Sequence, residues 1–164
     1  MAGFSSALIG AVTFAGLVGF APPAAAQARG QGFVYGGPTT LMEGGDASRL
    51  STFGGGGEVA ARNGAGASIE FGRLGIDSLW VNQVSLDAMY QRPSSSRGAV
   101  SLFVVGGYSG FFSSEGNAHG FNFGGGANLW VRPRVAVRLE VRDHVLPSEG
   151  SAQALSFRFG VTFR

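Results

Sequence analysis

The strictest constraint in this sequence is a spacing of two near its carboxyl end. Val135, Val137, Leu139, Val141 and Val145 occupy one set of alternate positions, while Ala136, Arg138, Glu140, Arg142 and His144 occupy the positions between them. Asp143 alone breaks the apolar row. Successive side chains of a strand point to opposite faces, so this alternation specifies a β-strand with one apolar and one polar face. The final segment repeats it: Leu155, Phe157, Phe159, Val161 and Phe163 alternate with Ser156, Arg158, Gly160, Thr162 and Arg164. Slipping either strand by one residue would exchange its faces, which fixes the register.

The same reading, carried toward the amino end, gives six further strands near 31–40, 53–62, 66–74, 79–91, 98–111 and 120–131. Helices are disfavoured because 29 of the 164 residues are Gly, each costing about 1 kcal/mol in a helix interior. Disorder is excluded by a hydrophobic content of 45% with 14 Phe, more apolar surface than a disordered chain carries. Asn63-Gly64 and Arg132-Pro133-Arg134 read as short turns, whereas 41–52, 92–97, 112–119 and 146–153 read as longer polar links.

The first 28 residues carry no charged side chain, so the 12 Arg and 10 acidic residues all lie beyond them. Ala7 to Phe20 is a run of 14 small and apolar residues, shorter than the ~20 needed to span a bilayer as a helix. Pro22 and Pro23 follow, then Ala24 and Ala26, the small residues of a signal-peptidase site. The expectation is a cleaved leader at 1–26, or alternatively 1–28, and one domain over 27–164, delivered by Sec-type export.

Which face is outside follows from how little charge is available. Charged residues are 13% of the chain and Lys is absent, so the polar face would make a poor soluble exterior. Turned inward, it suits an all-β, eight-stranded antiparallel transmembrane barrel in the bacterial outer membrane, with an apolar band facing lipid. The expected lumen set is Glu58, Arg62, Glu70, Asp87, Arg138, Glu140, Arg142 and Arg158. Four acids would face four arginines in an interior just wide enough to be filled by side chains. The expected lipid-facing belt is Trp80, Leu86, Tyr90, Leu139, Val141, Phe157, Phe159 and Phe163.

The segments FNFGGGANLWVRPRVAVRLEVRDH (Phe121 to His144) and SFRFGVTFR (Ser156 to Arg164) resemble the carboxyl-terminal half of small bacterial outer-membrane β-barrels, the family of OmpA-like and OmpX-like membrane domains. That resemblance implies an eight-stranded barrel whose last strand is recognised by the barrel-insertion machinery. Here Phe163 is penultimate and Arg164 last, whereas the family usually ends on the aromatic.

Chemistry is sparse. There is no Cys, which removes thiol catalysis and Cys-based zinc sites. Of the two His, His119 falls in a polar link, and His144 has Ser148, Ser151 and Ser156 near it in sequence without the spacing of a barrel hydrolase. Glu43, Asp46, Asp77, Glu115 and Glu149 are scattered link acids with no calcium-loop spacing. The glycine runs Gly54 to Gly57 and Gly124 to Gly126 lack the following helix of a phosphate cradle. Arg49, Arg73, Arg97, Arg132 and Arg134 fall near barrel rims, where snorkelling or lipopolysaccharide phosphate contact is expected. The reading is an outer-membrane barrel with a structural or surface-adhesive role, without catalysis, cofactor or nucleic-acid partner. It is expected to be a monomer whose partners are outer-membrane lipid and lipopolysaccharide. The alternatives are a narrow pore or carrier for small hydrophobic molecules and a soluble periplasmic lipid-binding barrel.

Overall fold

The computed structural model describes residues 28–76, 79–92, 99–114, 116–147 and 152–164. The leader at 1–26 and most of the 92–97 link lie outside these. Among the described residues the chain forms eight strands: β1 (Arg29–Glu43), β2 (Asp46–Ala60), β3 (Ala65–Ile76), β4 (Leu79–Gln91), β5 (Val100–Phe112), β6 (Asn117–Arg132), β7 (Val135–Leu146) and β8 (Ala152–Phe163). Each pairs antiparallel with its sequence neighbours, and β1 pairs with β8, closing the barrel. Closure leaves no sheet edge, so every strand has a ladder partner on both sides.

The two ends of the barrel differ in their turns. At the proximal end, which also carries both ends of the described chain, β2 passes to β3 through Ala61 to Gly64, where Asn63 Oδ1 accepts from the Ala65 N–H at 3.1 Å and Gly64 has φ +92°. Pro133-Arg134 joins β6 to β7 next to a register shift between Trp130 and Arg132. At the distal end the expected long link 41–52 is absent. β1 and β2 pair without a break to Glu43↔Asp46, joined by Gly44 and Gly45 at φ +59° and +96°. Two consecutive positive φ values define the hairpin turn that suits strand twist, and only Gly takes both without strain. The polar and small residues on either side resemble a loop in sequence because both faces of these strand ends are largely polar, with little contrast to reveal the period.

The β1–β8 seam skips Gly37 and Pro38. Pro38 has no N–H to give a ladder, and the pairing resumes at Thr39↔Ser156. Elsewhere the outward positions carry most of the large exposed apolar residues, and the inward positions are mostly polar at mid-height, with Phe33, Tyr35, Met89, Phe103 and Val105 among them.

Candidate functional site

Two surfaces could carry function: the lumen and the outer belt. In the lumen, β7 presents Arg138, Glu140 and Arg142 at every second residue, and β8 places Arg158 directly opposite Glu140. The facing wall, β2 to β4, supplies Glu58, Glu70 and Asp87. Glu140 is the hub. It accepts from Arg138 Nε at 2.9 Å and Arg142 Nε at 2.7 Å, and lies 3.5 Å from Arg158 Nη1. Across the lumen Arg138 Nη1 reaches Glu58 at 3.1 Å, Arg142 Nη1 reaches Asp87 at 2.9 Å and Arg158 Nη1 reaches Glu70 at 2.9 Å. All seven side chains are buried. An isolated charge here would be strongly unfavourable; bridging the two walls compensates each one.

Arg62 is not in this set. It lies in the exposed turn beyond β2 and lines the proximal opening with Arg29, Arg92 and Arg164. The inward register does run through Glu58 and Ala60, but the strand ends there, and Asn63-Gly64 turns the chain before Arg62 can point into the barrel. The network therefore holds four carboxylates against three guanidiniums. Neutral donors meet the surplus: Tyr35 Oη and Gln83 Nε2 donate to Glu70 at 2.8 and 2.9 Å, and Asn122 Nδ2 donates to Asp87 at 2.8 Å.

Aromatic rings fill the space between charges. The Arg138 guanidinium sits between Phe33 at 4.3 Å and Phe103 at 4.0 Å, and Arg158 lies 4.3 Å from the Tyr35 ring centre. Such stacking is attractive because the ring faces carry negative charge density. It also explains part of the glycine content. A methyl group at Gly56 or Gly126 would meet the neighbouring strand's carbonyl at Ile69 or Leu139, and would also stand 2.8 Å from the Phe33 ring or 2.7 Å from the Phe103 ring. The sequence runs FGGGG and FGGGA therefore serve equivalent purposes on opposite sides of Arg138. They let the neighbouring backbone and the rings approach closely.

His144 is fully buried beside Ser109. Its Nδ1 lies 3.1 Å from Ser109 Oγ, and its Nε2 lies 3.2 Å from Arg158 Nη2. A guanidinium can only donate, so neutral His144 must accept at Nε2 and carry its proton on Nδ1. It therefore donates to Ser109 rather than drawing a proton from it. That polarity is opposite to a serine nucleophile activated by histidine. Ser109 also accepts from Asn122 Nδ2 at 2.9 Å, which leaves its own proton for Ser85 Oγ at 2.8 Å. His119 instead stands on the outer wall, stacked on Tyr108 with ring centres 5.9 Å apart. Among the described residues no group of three or more His, Asp or Glu is placed to hold a metal ion.

The outer belt is continuous. Leu86, Tyr90, Leu139, Val141, Phe157, Phe159 and Phe163 are exposed and face outward, as is Trp80, whose indole meets Phe53 edge-on at 5.4 Å. Trp80 lies toward the distal end, and Tyr90 and Phe163 toward the proximal end. Asp143, the exception in the apolar row, accepts from Gln153 Nε2 at 2.5 Å and is shielded from the surface.

The expected lumen set holds only charged residues, and the structure adds the uncharged Tyr35, Gln83, Ser109 and Asn122 to it. Parity alone places each of them inward, so the signal was present. Their roles depend on pairings between distant strands, which parity does not give.

No family model matches this chain. No curated protein matches it either. Solved structures do. Neisserial surface protein A superposes with a TM-score of 0.67 at 9% identity, covering 84% of this chain and 98% of that one. Ail, the attachment invasion locus protein of Yersinia pestis, gives 0.56 at 13% identity over 83% and 97%. The amino-terminal barrel domain of Pseudomonas aeruginosa OprF gives 0.54 at 17% identity over 82% and 98%. Together with the closed eight-strand topology, these likenesses give the chain the fold of the small bacterial outer-membrane β-barrels.

Proposed function

We propose that this chain resides in a bacterial outer membrane as a structural or surface-adhesive barrel without catalysis, after Sec-type export and removal of residues 1–26. The observation that carries this reading is the exposed apolar belt around a closed barrel. In water it would be one large apolar surface, far beyond what soluble monomers tolerate, whereas in lipid it is the required exterior. The distal end then faces out of the cell, because the amino end of the barrel enters from the periplasm. Outer-membrane lipid and lipopolysaccharide are its surroundings, and the barrel-insertion machinery reads its last strand. The protein acts as a monomer. A surface role accords with the Yersinia pestis neighbour, which is an attachment invasion locus protein. The ion pairs bridging the lumen at mid-height disfavour the pore reading.

Two experiments test the proposal. Purified protein added to planar lipid bilayers is expected to give no stable conductance steps, and regular steps would favour the pore. Expression on a non-adherent Gram-negative host is expected to raise its attachment to epithelial cells or matrix. Unchanged attachment would leave the structural role and remove the adhesive one.

A further inference from the structure

Above the charged layer the inward register changes character. Toward the distal end the inward register carries Leu41, Leu50, Leu74, Val81, Phe111, Ala118, Leu146 and Ala154, one from each strand. They line a cavity of about 360 Å³. Ligand pockets typically occupy about 300 to 1,000 Å³ and are largely apolar with a few polar groups, so this one falls within the range.

Its polar groups are informative. Among the described residues Glu43 is the one charged residue in the wall, and none that lines it is basic. Below the ring the ion pairs and Arg–aromatic stacks close the lumen, so the cavity is a cup and not the entrance to a channel.

We infer that this cup is a binding site for a small amphiphile with a single apolar chain and a cationic head. The apolar body occupies the ring of eight side chains. Glu43 favours a cation at the rim. A carboxylate head finds no positive partner among the described residues of the wall. The cup opens to the cell exterior only under the orientation given above, but binding itself depends on the cavity alone, so the two ideas fail separately.

The test uses the full mature protein in lipid nanodiscs with methyl-labelled Leu, Val and Ala. Decylamine, decanol and decanoate are titrated as probes. Saturable shifts are expected at Leu41, Leu50, Leu74 and Ala154, distinct from the non-saturating changes that partition into lipid produces at outward Leu86, Leu102 and Leu139. Decylamine should bind about tenfold more tightly than decanoate, the scale of one favourable charge contact. Glu43→Gln should narrow that gap, while Ala118→Trp should fill the cup and abolish the saturable shifts. Heat-modifiable mobility checks that both variants remain folded. Ring methyls that do not respond, as when the chain's own distal segments fill the cup, would overturn the inference. So would a response to decylamine that survives Ala118→Trp, or a preference for decanoate.

Discussion

At mid-height the lumen joins charged side chains from five strands, whereas at the distal mouth all eight strands contribute an apolar one. The two layers lie on the same inward register and differ in how they depend on their members. In the charged layer each group is tolerated only because others compensate it, so the layer succeeds or fails as a unit. In the mouth each apolar residue adds its own small area, and loss of one leaves the others unaffected. The outer belt resembles the mouth in being additive, but it faces the opposite environment.

That contrast can be broken most directly at Glu140. Replacing it with Leu leaves Arg138, Arg142 and Arg158 short of a shared counter-charge and should cost about 3 to 5 kcal/mol, read as lowered resistance of the folded gel band to urea. If Glu140→Leu is silent, the charged layer does not act as a unit. Leu139→Arg, one residue away on the outward face, should cost about 2 to 4 kcal/mol in lipid, whereas Arg138 beside it is tolerated because it faces inward. An unaffected Leu139→Arg protein would reverse the assignment of faces. Gly126→Ala places a methyl group against the Leu139 carbonyl of the neighbouring strand as well as the Phe103 ring and should cost about 1 to 3 kcal/mol through strain in a packed interior. Combining it with Phe103→Leu should recover only the ring's share of that loss, because the backbone contact remains. Leu41→Ala in the mouth should cost about 1 kcal/mol or less, because the residue is only half-buried. A large loss there would mean that the mouth also holds the barrel together.

Much of the barrel was legible in the sequence because period two is a local signal. Leu155 to Phe163 shows it without interruption and Val135 to Val145 with Asp143 as the single exception, and both form strands with the expected faces. The signal weakened wherever one face lost its contrast. Residues 41–52 alternate polar with polar or small, so two strand ends and a Gly-Gly turn were read as a loop. Arg62 shows a different limit: parity can be extrapolated past the end of a strand, and only the turn decides where it stops. The charges themselves were visible, but their pairing was not. Nothing local links Arg138 to Glu58 or Arg158 to Glu70, because closure of the barrel brings those strands face to face. The apolar ring escaped for the same reason. Its members lie at the ends of eight separate strands, and they form a layer only when the relative stagger of those strands is known.

The central claim is a closed barrel with an apolar exterior in the outer membrane, and the most direct measurement is gel mobility before and after boiling, made on separated inner- and outer-membrane fractions. A closed barrel resists the detergent until heated, so the outer-membrane fraction should hold a band that migrates differently after boiling. A protein recovered in the soluble fraction, with the same mobility boiled and unboiled, would contradict the claim, and the outward apolar belt would then need a partner other than lipid.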